Sequence, residues 1–118
     1  MEAGRVHLGS EQDVVIARLV GEIDLGNADL VEREITGSLS NVPRALVVDL
    51  TETSYLDSAG IRLIFGLAER LSRRGQELRL VVPDGAPIER VLVLTNVGEV
   101  ASFDRTVADA LARSSDTG

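Results

Sequence analysis

Residues 45–75 read ALVVDLTETSYLDSAGIRLIFGLAERLSRRG. The stretch at residues 45–50 is a near-continuous apolar run, which is typical of a strand covered on both sides. A loop is expected at residues 51–57. From residue 58 to about residue 74 apolar side chains recur at helical spacing, and Gly75 is a natural stop for a helix. A buried strand followed by a long amphipathic helix predicts an α/β fold.

The segments on either side continue this alternation of strands and helices. Short β-branched runs predict strands at residues 5–8, 14–20, 77–82 and 100–103, and a turn at residues 10–13 joins the first two into a hairpin. Further helices are predicted at residues 27–40 with Asn27 as N-cap, from Pro87 to Asn96 or Gly98, and after Thr106, where Asp109 follows three residues on. The order ββαβαβαβα requires parallel pairing with right-handed crossovers for the later strands.

The composition of the chain excludes several classes of function. Its 118 residues suit one domain, and the polar residues 113–118 are expected to form a disordered tail. Because there is no cysteine and His7 is the single histidine, disulfides, thiolate or multi-histidine metal sites and a cysteine nucleophile are excluded. The net charge of −7 argues against nucleic acid as a partner. No apolar run approaches the ~20 residues of a membrane span, and no apolar leader is visible, so we expect a cytoplasmic protein without a membrane partner.

A helical wheel of residues 58–74 separates a core face from an exposed face. One broad arc is apolar and is expected to face the sheet; it consists of Ile61, Leu63, Ile64, Leu67, Ala68 and Leu71. Ser58 lies on the opposite side, near Arg62, Gly66, Glu69 and Arg73. We therefore predict that Ser58 occupies an exposed N-terminal corner, where a modifying enzyme can reach it. Phe65 falls beside Ser58, and a large apolar side chain there indicates either a partner surface or packing against a neighbouring loop.

The chemistry around Ser58 suits a phosphate. A helix N-terminus offers unpaired N–H groups and the positive end of the helix dipole. Gly60 lets other backbone approach closely, and Arg62, one turn away, can pair with a phosphate. Asp57 makes further negative charge unfavourable at a surface that a partner must desolvate. The alternative is that Asp57-Ser58 is ordinary N-cap chemistry.

Three segments together resemble the STAS domain family, and within it the anti-sigma factor antagonists of bacterial partner-switching systems. VGEID at residues 20–24, followed by NADL at residues 27–30, is similar to the family's strand ending in G-E-[LI]-D. LVVDL at residues 46–50 and YLDSAGI at residues 55–61 resemble its strand and D-S-[ST]-G-[LI] phosphorylation loop, and residues 91–98 resemble its third-helix region. The resemblance implies the STAS fold: a mixed sheet of four to five strands with an N-terminal hairpin and about four helices mainly on one face, in a single domain over residues 1–118.

The resemblance also implies a regulatory protein of transcription, not an enzyme. In this family the unphosphorylated antagonist binds an anti-sigma factor, which is also a serine kinase, and a sigma factor is thereby released. The kinase uses ATP to phosphorylate the serine, and the complex is lost; a PP2C-type phosphatase restores binding. The antagonist needs no cofactor of its own, and we expect a monomer or weak dimer.

Carried over to this sequence, the resemblance makes Ser58 the phosphate acceptor. Asp57 is expected to shape the loop and contact the kinase. The implied partner-binding residues are Glu22, Asp24, Asp57, Ala59, Gly60, Arg62 and Phe65. Ala59 stands where many members have Ser or Thr, which leaves one acceptor hydroxyl in the motif. Arg62 stands where a glycine is frequent, and it is expected to shield the phosphate or to select a kinase.

Rival functions remain open at this point. A non-switching STAS docking subunit, for example in a lipid-transport ABC system, would use the same corner without needing an acceptor serine. A small α/β enzyme or nucleotide binder would need a motif such as GxxxxGK[ST] or GxGxxG, and neither is present. A receiver domain would need an acidic pair and a phosphoacceptor aspartate, which Glu22, Asp24 and Asp49 imitate loosely. Pro83-Asp84 stands where its lysine would be expected.

Overall fold

Six strands form one mixed sheet in residues 5–115, the part of the chain that the computed structural model describes. The strands are β1 (Arg5–Glu11), β2 (Val14–Ile23), β3 (Ala45–Asp49), β4 (Thr53–Leu56), β5 (Glu77–Val81) and β6 (Ser102–Asp104). The order across the sheet is β1-β2-β3-β5-β6, and β4 adds to β2. The β1–β2 hairpin is antiparallel and the other pairs are parallel, so the predicted hairpin and α/β class are confirmed.

Four α-helices cover the two faces of the sheet within the described residues. They are α1 (Ala28–Gly37), α2 (Ser58–Arg73), α3 (Pro87–Leu94) and α4 (Val107–Ser115), with a single 3₁₀ turn at Val97–Glu99. Side chains alternate along β3: Leu46 and Val48 face the large core under α1, α2 and α3, whereas Ala45 and Val47 face the small cluster under α4. Three helices on one face agree with the prediction that the helices lie mainly on one side.

The long helix is confirmed in its bounds and its core face. It ends at Arg73, and Gly75 follows with a φ of +68°, which glycine adopts without steric cost. Five of the six residues on the predicted core arc are buried, whereas Ile61 is half-buried. Thr106 also acts as predicted, because its Oγ1 accepts a hydrogen bond of 3.0 Å from the Asp109 N–H.

The loop expected at residues 51–57 contains β4, so that prediction was wrong. β4 pairs in parallel with the last residues of β2, where Glu22 lies opposite Tyr55 and Ile23 opposite Leu56. The pairing register shifts after Gly21, whose φ is +87°. A four-residue strand with mixed polarity carries little local signal, because its stabilising partner lies about thirty residues away in sequence. Because β4 ends at Leu56, its pairing with β2 fixes the position of Asp57, the next residue.

Several other boundaries differ from the sequence predictions. Both strands of the hairpin are longer than predicted and α3 is shorter, since β1 runs to Glu11, β2 to Ile23 and α3 only to Leu94. α1 ends at Gly37 rather than near residue 40, and the last strand begins at Ser102. α4 continues to Ser115, so the tail predicted from residue 113 was wrong for residues 113–115; residues 116–118 lie outside the described part. The helix persists because Arg113 donates a 2.9 Å hydrogen bond to Asp104 on β6.

Asp104 is the centre of a buried ion cluster under α4. Its carboxylate accepts hydrogen bonds from Arg79 Nε at 2.7 Å and Nη2 at 3.1 Å, in addition to that from Arg113. Arg79 also contacts Glu77 at 2.6 Å. The hydrogen bonds that Arg79 donates to Asp104, reinforced by the charges of both carboxylates and opposed by burial, raise the pKa of Arg79. These ion pairs tie α4 to two strands of the sheet.

Candidate functional site

Asp57 joins β4, α2 and the loop that follows β2. Its backbone N–H donates to the Ile23 carbonyl at 3.2 Å. One carboxylate oxygen, Oδ1, accepts hydrogen bonds from the N–H groups of Ala59 at 2.8 Å and Gly60 at 3.1 Å, and Oδ2 accepts one from the Leu25 N–H at 3.0 Å. Asp57 is therefore the N-cap of α2, and the capping interpretation holds for this residue.

The hydrogen bonds at Asp57 lower its pKa. Desolvation acts to raise the pKa, but the N–H groups of Gly60, Leu25 and Ala59, together with the positive charge of Arg62, outweigh it. The carboxylate is thus ionised at neutral pH and is a weak base. It is poorly suited to activate the neighbouring serine hydroxyl for chemistry within this chain.

Ser58 is the first residue of α2, and its side chain is exposed as predicted. The expectation of unpaired N–H groups beside it was wrong for Ala59 and Gly60, because Asp57 accepts from both. These two residues are also buried. Both residues shape the corner from inside, and Ala59 also lines a cleft between α1 and α2.

Gly60 is required by the close approach of β2 to α2. A Cβ at this position would lie 3.0 Å from the Ile23 carbonyl oxygen and 3.0 Å from Leu56 Cδ2. Any larger residue would therefore push the helix N-terminus away from the sheet. The motif glycine thus sets the height of Ser58 above the strand ends.

The end of β2 and the loop after it bring Glu22 and Asp24 to the same edge. Both are half-buried, and the loop backbone reaches Asp57 through the Leu25 N–H. Asn27 precedes α1 but does not cap it with its side chain. Instead its Oδ1 accepts from the Asp24 N–H at 3.0 Å and its Nδ2 donates to the Glu22 carbonyl at 2.8 Å. The Asn27 side chain therefore stabilises the loop after β2 instead of capping α1.

An apolar cleft begins beside Ser58 and runs between α2 and α3. We call it the α2–α3 cleft; besides Leu56, Asp57, Ser58 and Arg62 it is lined by Tyr55, Ile61, Phe65, Val91 and Thr95. Tyr55 is 51% exposed and Val91 is 38% exposed. Phe65 is half-buried against the core while it lines the cleft, so it combines packing with an accessible apolar surface. A wheel of one helix cannot reveal that α3 lies alongside.

The exposed apolar side chains of Leu25, Tyr55 and Val91 were not predicted from the sequence. Leu25 is the most exposed large apolar residue described, at 78%, and its backbone is fixed to Asp57. The position of this leucine between Asp24 and Gly26 was a usable signal of its exposure, because turn residues usually lie at the surface. No local pattern marked Val91, since its exposure depends on where α3 packs.

The acidic residues do not form a receiver-like pocket. Asp49 is buried, and its Oδ1 accepts from the Thr51 N–H at 3.0 Å and the Thr51 hydroxyl at 2.5 Å, which closes the turn after β3. Within residues 5–115 no three His, Asp or Glu side chains come together as a metal site. Across the same described range, no helix is long and apolar enough to cross a membrane.

Comparison with known proteins agrees with this geometry. The family model of the STAS domain matches residues 7–110. The anti-sigma-F factor antagonist RsfB of Mycobacterium tuberculosis is 29% identical, over 90% of this chain and 85% of its own. RsfA of the same organism, also an anti-sigma-F factor antagonist, is 30% identical, over 83% of this chain and 77% of its own. The crystal structure of an anti-sigma factor antagonist from Mycobacterium paratuberculosis matches with a TM-score of 0.86 and 25% identity, over 97% of this chain and 96% of that one. The chain belongs to the STAS domain family.

Proposed function

We propose that this chain is an anti-sigma factor antagonist controlled by phosphorylation of Ser58. In its unphosphorylated form it binds an anti-sigma factor that is also a serine kinase, and a sigma factor is released. The kinase transfers the γ-phosphoryl group of ATP to the Ser58 hydroxyl, and the complex dissociates. A PP2C-type phosphatase removes the phosphate and restores binding.

The position of Ser58 carries this proposal. The hydroxyl is exposed at the rim of the α2–α3 cleft, next to the ionised Asp57. A partner that covers the cleft must also desolvate Ser58. The neutral hydroxyl tolerates this, whereas a phosphate brings about −1.5 to −2 charges. Removing such a dianion from water in an interface costs several kcal/mol, so affinity is expected to fall about a thousandfold.

The same geometry supports a binding role rather than catalysis. Asp57 is occupied by three backbone N–H groups, and Asp49 closes a turn. We therefore propose that the chain is not itself an enzyme and that ATP is used by the kinase partner. The proposed role places the protein in the bacterial cytoplasm, without nucleic acid or membrane as a direct partner. The proposed contact residues are Glu22, Asp24, Asp57, Arg62 and Phe65. The exposure of Tyr55 and Leu25 beside Asp57 supports including them as well.

Intact-mass spectrometry with a cognate anti-sigma kinase and ATP tests the proposal. We expect a single phosphate on the wild-type chain and none on Ser58→Ala. In calorimetric titration, Ser58→Ala should bind the kinase with wild-type affinity but resist release by ATP. Ser58→Glu should bind at least tenfold more weakly, since a carboxylate supplies one of the negative charges. Equal affinities of the Ala and Glu variants would contradict the mechanism.

The second candidate is a non-switching docking subunit of a multiprotein complex. It is favoured by the apolar α2–α3 cleft, which can serve as a docking surface without any modification. The mass experiment separates the two functions. No phosphate on the wild-type chain, or an equal gain on Ser58→Ala, would support the docking role.

A further inference from the structure

The backbone beside Ser58 offers little to a phosphate. The N–H groups of Ala59 and Gly60 donate to the Asp57 carboxylate, and the Ile61 N–H donates to the Asp57 carbonyl at 3.0 Å. A phosphate on Ser58 would have to displace a carboxylate to use these groups. Compensation for its charge must therefore come mainly from a side chain.

Arg62 is the basic side chain at this corner. It lies four residues after Ser58 on α2, where side chains on a helix are neighbours, and both residues line the α2–α3 cleft. Arg62 also lines the flanking clefts toward α1 and toward the 3₁₀ turn, and among the described residues it is the single Lys or Arg to do so. Its side chain is exposed and makes no hydrogen bond or ion pair with any residue in the range 5–115.

Other arginines of the chain are already paired with carboxylates. Arg18 contacts Glu52, Arg73 contacts Glu69, and Arg105 contacts both Asp84 and Glu89. Arg62 has no hydrogen-bonded carboxylate partner within residues 5–115, although its charge contributes to the lowered pKa of Asp57. Its guanidinium is therefore available for a new anion at Ser58.

The surroundings of Ser58 are otherwise acidic. Asp57 lines the α2–α3 cleft with Ser58, and Asp29 and Glu32 on α1 line the cleft toward α1 with Arg62. Glu22 on β2 lies opposite Tyr55, and Asp24 follows in the loop that reaches Asp57. These charges make a phosphate hold its second proton more tightly. The ordinary second pKa of phosphoserine is about 6, so an upward shift would cost part of its negative charge at neutral pH.

We propose that Arg62 binds the phosphoryl oxygens of phosphorylated Ser58 and keeps the phosphate dianionic at neutral pH. This inference rests on the proposed function, and it explains how the phosphate on Ser58 keeps both of its negative charges. Guanidinium suits the role because its donors match two phosphate oxygens at once. Arg62 would thus act as a positioning residue, because it holds the phosphorylated Ser58 side chain at the rim of the α2–α3 cleft.

The test is a ³¹P NMR titration of the chain with phosphoserine incorporated at position 58 during translation, so that no kinase is needed. We expect the second pKa of the phosphate to be higher in Arg62→Gln than in wild type, by on the order of half a unit to one unit. Arg62→Lys should recover part of this difference, because it keeps the charge but not the paired donors.

Arg70→Gln is the matched control, since it removes the same charge from an exposed site on the same helix. It lies about 18 Å along the helix from Ser58, beyond a Debye length of about 8 Å, and should leave the titration unchanged. Identical pKa values in wild type and Arg62→Gln would overturn the proposal, as would an equal shift in Arg70→Gln.

Thermal melts distinguish phosphate binding from a general effect of Arg62 on α2. Without phosphate, wild type and Arg62→Gln should melt together; with phosphate, Arg62→Gln should melt a few degrees lower. A difference of the same size in both states would reject the proposal. These measurements do not involve the partner. They can therefore contradict the role of Arg62 while the kinase and binding assays support the proposed function, or support it while those assays contradict the function.

Discussion

Asp57 and Asp104 each accept three hydrogen bonds, but from different donors and at different depths. Asp104 is fully buried and accepts from the side chains of Arg79 and Arg113. Asp57 lies at the surface and accepts from three backbone N–H groups. A buried carboxylate needs charged partners, and these become part of the fold. Because backbone donors satisfy Asp57, the adjacent side chains of Ser58 and Arg62 are left available to a partner.

The largest expected effect comes from breaking the buried cluster. Asp104→Asn leaves the guanidinium of Arg79 without its main counter-charge, so the free energy of unfolding should fall by about 3–5 kcal/mol. Urea denaturation measures this loss. Affinity for the anti-sigma factor, measured below the melting temperature, should stay within twofold of wild type.

Glu69→Gln is the control for the buried cluster, because it removes an exposed ion pair with Arg73. It should cost less than about 1 kcal/mol. A loss at Asp104→Asn no larger than this would erase the distinction between the two regions. A parallel loss of partner affinity would mean that the cluster also serves binding.

An intermediate effect is expected at Phe65, where core and cleft meet. Phe65→Ala should weaken the partner complex by about 2 kcal/mol, or roughly thirtyfold, because aromatic anchors dominate interface energies. Its half-buried ring should contribute less to folding, about 1 kcal/mol. Calorimetric titration and thermal melts give the two values. Leu94→Ala, at an exposed apolar site on α3 outside the cleft lining, should change neither partner affinity nor stability much. If Phe65→Ala lowered stability more than affinity, Phe65 would not belong to the interface.

The smallest effect is expected at Asp57. Asp57→Asn keeps an acceptor for α2 but loses the charge and the link to Leu25, so the melting temperature should fall by a few degrees. The pKa of Asp57 is lowered in the folded state, so its contribution is present above the unfolded value of about 3.9 and is lost as the pH falls through the folded value. Melts at pH 7 and pH 3 should therefore show the gap between wild type and variant narrowing in acid. An equal gap at both pH values would rule out the charge as the cause.

Features that depend on neighbouring residues could be predicted from the chain alone. The buried β3, the bounds and core face of α2, the Gly75 stop and the Thr106 cap all follow from apolar periodicity or from single residues with a preferred backbone conformation. The exposure of Ser58 belongs with these, because it depends only on its place on one amphipathic helix.

Features that join distant residues appeared only once the chain was folded. β4 pairs with β2, Asp57 binds the Leu25 N–H, Asp104 meets Arg79 across 25 positions, and Phe65 lines a cleft with Val91 of α3. Each is stabilised by long-range contacts that leave no periodic trace in the amino-acid order. Local periodicity therefore placed Ser58 on the exposed side of α2, whereas packing determined which groups surround it.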